Sequence, residues 1–460
     1  MTDPHQPSRR SPWTVESIGL APVPSSERYG NAPKLFWVWF AGNLSFAYLV
    51  IGAAIWSYGL SLWQSMLAIL IGVASFWIIG YLGLPGPRTG LPTMAYSQGY
   101  FGRHGNRILA FVSWINLLGW ETVVLIIATY AIAAICHLAL GVPVSAPWLL
   151  ISLALSAFLE LCIAYFGHAL IESFQQWISY VFGVLTLVVL AVFLPHVAWH
   201  PVLSRPSGSW LGGMIPSILM VIAASALSWV TTAADYTRHL PPSTSGSTMV
   251  RSAALGAIAP TAMLMLAGVL FAQSAPHLAS AIDPIQLLLH WIPAWAAIPY
   301  LLVTAIGIIA GGIMCAYSSG LSLLAGGIRI PRSRTIWVDA AVSLAASIYI
   351  VLVSQNFLAT FEAFLSLIAC LLAPWAAVAL VNVRHRRRPP AIWALATWAL
   401  GSIAALTTIA TPIFSGPLAL GIFRTSSLGY VLGFALTIVL YAFTMKRQKT
   451  QRALLETKEV

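Results

Sequence analysis

Stretches of about twenty apolar residues, each long enough to cross a hydrocarbon core about 30 Å thick, recur twelve times between residues 35 and 445. With no water in that core, every backbone donor and acceptor has to be satisfied inside its own segment, so such a chain folds as a bundle of membrane helices. The spans read as 35–58, 62–84, 108–140, 147–166, 174–194, 211–233, 253–274, 295–325, 336–354, 357–381, 391–411 and 427–445. Composition agrees: 59% of the 460 residues are hydrophobic and 8% charged, too little polar surface to cover a soluble globule. The fold class is all-α integral membrane with twelve transmembrane helices.

Residues 1–34 are polar and rich in Pro and Ser, with Arg9 and Arg10 but no apolar core. They are no cleavable signal peptide and are expected to form a disordered cytoplasmic tail. Lys and Arg stay on the cytoplasmic side during insertion. With the amino terminus inside, the loops around Arg88, Arg103, Arg107, Arg238, Arg251, Arg329, Arg332, Arg334 and 384–388 are cytoplasmic, as is the basic tail 446–460; only Arg205 and Arg424 fall outside. That asymmetry explains the net charge of +11 without a nucleic-acid partner. The cations are topology signals that also suit anionic membrane lipid; the chain is expected to be a multi-pass protein of the cell (plasma or inner) membrane with both termini cytoplasmic.

Enzymatic chemistry finds no support. There is no His-Glu-x-x-His, no Gly-x-Ser-x-Gly and no phosphate loop of the Gly-x-x-x-x-Gly-Lys type. His196 and His200 stand four apart in a Pro-flanked outer loop without a third ligand, and Cys136, Cys162, Cys315 and Cys370 have no paired spacing. No cofactor or metal is implied, and a transporter driven by an ion gradient is the natural reading.

Two spans carry interruptions. In the first, Leu35 to Phe40 gives way to Ala41-Gly42-Asn43-Leu44-Ser45; the sixth is loosened by Ser225-Ala226-Leu227-Ser228-Trp229-Val230-Thr231-Thr232. Small and hydroxylated residues at mid-depth let a helix unwind and turn backbone groups toward a ligand or ion, and the five-span offset suggests two inverted repeats. Glu121 stands in the middle of the third span beside Trp120. A buried acid costs about 2.5–3.5 kcal/mol on insertion scales, so it normally faces a cavity, a partner or a proton path.

Leu35-Phe36-Trp37-Val38-Trp39-Phe40-Ala41-Gly42-Asn43-Leu44-Ser45, Gly90-Leu91-Pro92-Thr93 with Phe101-Gly102-Arg103-His104-Gly105-Asn106 after it, Gly119-Trp120-Glu121, and Ala234-Asp235-Tyr236-Thr237-Arg238-His239-Leu240-Pro241 resemble the nucleobase:cation symporter family, and within it the purine–cytosine permease branch. The resemblance runs from about residue 28 to 388. It implies a LeuT-like five-plus-five inverted repeat with two extra C-terminal helices: helices 1–5 over 35–194, helices 6–10 over 211–381, and helices 11–12 over 391–445. It also implies import of nucleobases or related heterocycles with Na⁺ or H⁺.

Carried over, the resemblance puts the Trp120 indole in the position that stacks on a planar substrate, with Asn43, Ser45, Ser228 and Trp229 lining the same pocket. Offset stacking is worth about 0.5–1.5 kcal/mol beyond area burial, and Asn offers both a donor and an acceptor to the mixed edge of a base. Trp229 has lipid as its other option. Two roles are open to Glu121: accepting two hydrogen bonds from an amidine-like substrate edge, or, since desolvation favours the neutral carboxyl, binding and releasing the coupling proton.

Sodium-driven relatives supply hydroxyl or amide oxygens from the eighth span, facing the unwound first span. Aligned on Tyr317-Ser318-Ser319-Gly320-Leu321, that stretch here is Gly307-Ile308-Ile309-Ala310-Gly311-Gly312, without a side-chain oxygen. Backbone carbonyls such as that of Gly42 make a thin shell for a hard cation, so H⁺ is favoured over Na⁺; a shift of the alignment brings in Thr304 or Ser318. Glu160 and Glu362 read as structural acids or relay members. Asp235 and Arg238, at i and i+3, read as an interfacial ion pair. Asp339 opens the ninth span in the same way, and Trp291, Trp295, Tyr300, Trp337 and Trp393 fit an interfacial aromatic belt. The alternatives are Na⁺ symport of allantoin, hydantoin, thiamine or a similar heterocycle, and an uncoupled facilitator for a small neutral solute. The heterocycle and the oligomeric state are not encoded legibly.

Overall fold

The structure, a computed structural model, describes residues 11–281, 283–353, 357–384 and 390–456. Among them eleven helices are long and apolar enough to cross a membrane, and one bent pair makes a twelfth span. That pair is the first span, Lys34–Gly42 and Phe46–Ser57, bent by 63°. The second runs over Leu62–Ala74, Phe76–Leu82 and Pro85–Thr89, followed by the third, within Thr93–Leu140, the fourth, Ala146–Phe166, and the fifth, His168–Phe193. The sixth is built from a wide turn at Trp210–Met214, the helix Ile215–Ile222, a second wide turn at Ala223–Leu227 and, after a break, Ala233–Thr237. Then come Gly246–Ala272, Ala294–Ala325, Arg332–Leu352, Phe357–Arg384, Ala391–Thr408 and Leu428–Glu456.

The third span packs along the eighth, the seventh against the first and second, and the fifth against the first and eighth. The eleventh and twelfth pack on each other and on the tenth. Small residues allow the closest of these contacts. A Cβ on Gly268 would stand 1.9 Å from the Leu49 carbonyl oxygen, and one on Gly52 1.9 Å from that of Met265.

Several expectations are corrected. Residues 90–107, read as a loop, are mostly helix: a helix from Thr93 precedes the third span and meets it at Gly102. Gly102, at φ 70° and ψ 171°, breaks that helix where an L side chain would be strained. The fifth span starts at His168, six residues before the apolar run at 174. Tyr300 is core, not belt: it is buried and donates to the Ile285 carbonyl at 3.1 Å. His196 stacks on Trp291, and no metal-binding cluster occurs among the described residues. The loop at 385–388, the side chains of Arg384 and Glu362, and Ser354 lie outside the described residues.

The largest correction concerns the tail. Residues 11–33 are not disordered but laid across the ends of the spans; residues 1–10 lie outside the described residues. Glu16 reaches Arg238 at 2.7 Å and the Tyr317 hydroxyl at 3.1 Å, and accepts from the His168 amide at 2.9 Å. Arg332 donates to the backbone oxygens of Glu16 and Ala164, both at 3.1 Å. Arg28 fastens the segment further on, donating to the Pro87 carbonyl at 2.6 Å. Arg238 therefore pairs with Glu16, not with Asp235. The Asp235 carboxylate instead accepts from the Thr93 amide at 2.8 Å while the Thr93 hydroxyl accepts from the Ala234 amide at 2.8 Å, so each helix start satisfies an orphan donor of the other.

Candidate functional site

The break in the first span is made by side chains. Asn43 Nδ2 donates to the Trp39 carbonyl at 2.9 Å and closes the first half, while the Ser45 hydroxyl accepts from the Ala47 amide at 3.3 Å and opens the second. Tyr48 then donates its hydroxyl to Asn43 Oδ1 at 2.9 Å, holding the bend from one turn away. Asn43 and Ser45 thus shape the break, with their polar atoms already engaged there.

The sixth-span break, residues 228–232, is pinned to the third span. Asn116 Nδ2 donates to the Ser228 carbonyl at 2.8 Å, and the Ser113 hydroxyl donates to Thr231 Oγ1 at 2.7 Å. Ser228 itself bonds back to the Ala223 carbonyl at 2.7 Å, filling the wide turn. Trp229 is 6% exposed and packs edge-on against Trp39 with centroids 5.6 Å apart, so it faces the interior and not lipid.

Ser113, Asn116 and Trp120 follow one another at i, i+3 and i+7 and share a face of the third span. Trp120 meets the ring of Phe361 edge-on at 5.0 Å. Gly119 makes room for the tenth span, since a Cβ there would stand 2.4 Å from the Phe364 ring. Beyond Phe361, toward the face opposite the amino-terminal segment, lies an apolar cavity of about 50 Å³ lined by Val50, Ile51, Val123, Ile127 and Phe361 among others. The indole nitrogens of Trp120 and Trp39 and Oδ1 of Asn116 are buried without hydrogen-bond partners.

Glu121 turns away from this face. Its neighbours are Glu160 of the fourth span, Asp339 of the ninth, and Ser319 and Cys315 of the eighth. Trp120 and Glu121 are thus adjacent in sequence but directed to different parts of the bundle. Asp339 is not an interfacial acid: it is fully buried, and its Oδ1 accepts from the Trp114 indole at 2.7 Å.

Where the first span unwinds, its carbonyls lie on glycines of the eighth. A Cβ on Gly311 would be 2.9 Å from the Gly42 oxygen, and one on Gly307 2.6 Å from the Leu44 oxygen. Thr304 and Ser318 are committed elsewhere, Thr304 to the Tyr300 carbonyl at 3.0 Å and Ser318 to the Tyr236 hydroxyl at 3.0 Å. Gln175 of the fifth span donates to the Ala310 carbonyl at 2.6 Å, so a neutral amide already serves one backbone oxygen beside the break.

A family model described as permease for cytosine/purines, uracil, thiamine, allantoin matches residues 22–397. The chain belongs to that family. The permease is similar to the putative purine-cytosine permease YxlA of Bacillus subtilis (strain 168), at 28% identity over 95% of this chain and 98% of that protein. It is also similar to the purine-cytosine permease FCY2 of Saccharomyces cerevisiae (strain ATCC 204508 / S288c), at 25% identity over 71% of this chain and 60% of the yeast protein. Among solved structures, Mhp1, a nucleobase-cation-symport-1 family transporter in a closed conformation with bromovinylhydantoin bound, superposes with a TM-score of 0.72 at 15% identity, covering 93% of the permease and 96% of that chain. A Na⁺-coupled sialic acid symporter in a substrate-bound outward-open state does so with 0.65 at 14% identity, covering 91% and 90%. These likenesses show the LeuT-like fold.

Asn116, Phe361 and the grouping of Glu160, Asp339 and Ser319 around Glu121 are absent from a reading of the sequence alone. Asn116 left a signal there, one helical turn before Trp120 on the same face. The carboxyl cluster left none, since its members come from three spans.

Proposed function

We propose that the permease imports a nucleobase or related planar heterocycle of the cytosine/purine class by H⁺ symport, through alternating access, across the cell membrane with both termini in the cytoplasm. The observation that carries the reading is the face of Trp120 set against two broken spans, with a buried donor and a buried acceptor left open: Trp120 Nε1 and Asn116 Oδ1. An aromatic plane beside a mixed donor and acceptor pair suits the mixed hydrogen-bonding edge of a base. The purine-cytosine names of the relatives support the substrate class.

Coupling to H⁺ is supported by what surrounds the Gly42 and Leu44 carbonyls. The eighth span offers them glycine, its nearby hydroxyls are engaged, and Gln175 already donates to Ala310. A hard cation there would have the backbone oxygens and the open Gln175 Oε1 to bind, a thin shell with no hydroxyl contributed at Gly307 or Gly311. Glu121, directed away from Trp120, then fits the proton carrier better than the substrate acceptor. The test is uptake of labelled cytosine, adenine, hypoxanthine, uracil, allantoin and thiamine into proteoliposomes. Concentration of one of them that persists without Na⁺ and collapses with a protonophore is expected. Strict Na⁺ dependence overturns the coupling ion, and failure to concentrate any of them overturns symport.

A further inference from the structure

Three carboxyl groups from three spans lie buried in one region of the bundle. Glu121, Glu160 and Asp339 are each 0% exposed. Both oxygens of Glu121, both of Glu160 and Oδ2 of Asp339 have no hydrogen-bond partner. The three lie near enough to interact electrostatically, Glu121 with both others and Glu160 with Asp339. No group of side chains that could hold a metal ion occurs among the described residues. Nor does any of the three acids form one of the ion pairs found among those residues.

Between them stands an open hydroxyl. Ser319 is fully buried and its Oγ has no partner, yet it lies beside both Glu121 and Asp339, near each but outside normal hydrogen-bond geometry. Cys315, one turn away on the same helix, faces Glu121 and Glu160, and the Glu160 carboxyl carbon lies 2.5 Å from where a Cβ on Gly312 would stand. Three uncompensated charges are not sustainable in such a place, so protons have to be shared among these acids.

The cluster also has a direction. Trp114, which holds Asp339, precedes Glu121 by seven residues, or about 10 Å along the helix. Asp339 therefore lies nearer the face covered by the amino-terminal segment, and Glu121 at the level of Trp120. Glu160 is six residues from the end of the fourth span at that same face.

We propose that Glu121, Ser319 and Asp339 form a proton relay between the substrate site and the cytoplasmic face, with Glu160 as the neighbouring acid whose charge sets how tightly the relay holds its proton. The proposal rests on H⁺ symport as read above. In the transfer step the Glu121 O–H bond breaks as its proton passes to Ser319 Oγ, and the Ser319 hydroxyl releases its own proton to Asp339 Oδ2. Serine ends neutral, Glu121 becomes a carboxylate and Asp339 a carboxylic acid. Oδ2 is the oxygen left open because Oδ1 is held by Trp114.

The test compares accumulation driven by a pH gradient with substrate counterflow, which needs binding and translocation but no net proton movement, in proteoliposomes of wild type, Glu121→Gln, Asp339→Asn, Ser319→Ala and Glu160→Gln. The first three should lose at least about tenfold in driven accumulation while counterflow stays within about threefold, and Glu160→Gln should move the pH midpoint without abolishing accumulation. Infrared difference spectra of the wild type between acid and alkaline pH should show a buried carboxyl band that shrinks in Glu121→Gln and Asp339→Asn. Variants that keep wild-type driven accumulation, or a wild type with no titrating carboxyl band, overturn the relay and leave H⁺ symport intact. A wild type indifferent to the pH gradient overturns the symport reading and the relay with it.

Discussion

Replacing Trp120 with Ala tests the substrate site most directly, provided that binding is separated from packing. The ring is 8% exposed and meets Phe361 at 5.0 Å, so its removal lowers stability by about 3–5 kcal/mol whether or not it touches substrate. Lost stacking on a heterocycle accounts for about 0.5–1.5 kcal/mol beyond area, which at 1.4 kcal/mol per decade is about 2- to 12-fold in Kd. The two effects are read by different assays: the melting temperature of the purified permease for packing, and equilibrium binding of the transported base for stacking. Trp120→Phe should restore most of the affinity, since it keeps an aromatic face. Phe361→Ala should lower the melting temperature while leaving Kd nearly unchanged, and the stability losses in Trp120→Ala/Phe361→Ala should sum to less than the separate losses, because the rings share one contact. If Trp120→Ala lowers the melting temperature while Kd stays at the wild-type value, Trp120 is a packing residue and the substrate site lies elsewhere.

Gly307→Ala brings a methyl to within 2.6 Å of the Leu44 oxygen and Gly311→Ala brings one to 2.9 Å of the Gly42 oxygen. Both overpack by about 1–3 kcal/mol, and uptake should fall further for Gly307→Ala; the reverse order would refute the geometry. For Glu16, burial raises the carboxyl, but Arg238, Arg332 and the His168 amide and ring together more than offset it and hold it below the ordinary glutamate range. A depressed value in the folded state means that these ion pairs stabilise fully above that range and fade as pH falls through it. Acidification below about pH 4.3 should therefore narrow the gap in melting temperature between wild type and Glu16→Gln, and a gap independent of pH would count against the pairing.

The sequence made the spans legible because lipid enforces a length and a polarity on each. The first break could be read from Ala41 to Ser45 because Asn43 and Ser45 act locally, on Trp39 and Ala47. What escaped depends on contacts between segments far apart in the chain. Asp235 and Arg238 have the spacing of an ion pair, but Glu16 reaches Arg238 from across the bundle and Thr93 takes Asp235. Residues 93–107 look like a loop because Arg103, His104 and Arg107 lower their hydropathy, though helix continues there. The site divides the same way: Trp120 stood out by its motif, whereas Glu160 and Asp339 gained meaning only when three spans brought them near Glu121.

The latch formed by residues 11–33 has a consequence for how the molecule is made. Glu16 leaves the ribosome 222 residues before Arg238 and 316 before Arg332. At about 5–20 residues per second, its second arginine arrives roughly a quarter of a minute to a minute later. Through that interval the segment can fasten Arg28 on Pro87 and then Glu16 on Arg238, but its last partner is absent until eight spans have been inserted. Completion of its docking is therefore a late step of assembly, since the Arg332 contact forms only once the ninth span has reached its place. A chain stalled or misinserted before that point keeps an incompletely docked amino-terminal segment, a mark by which incomplete copies differ from finished ones.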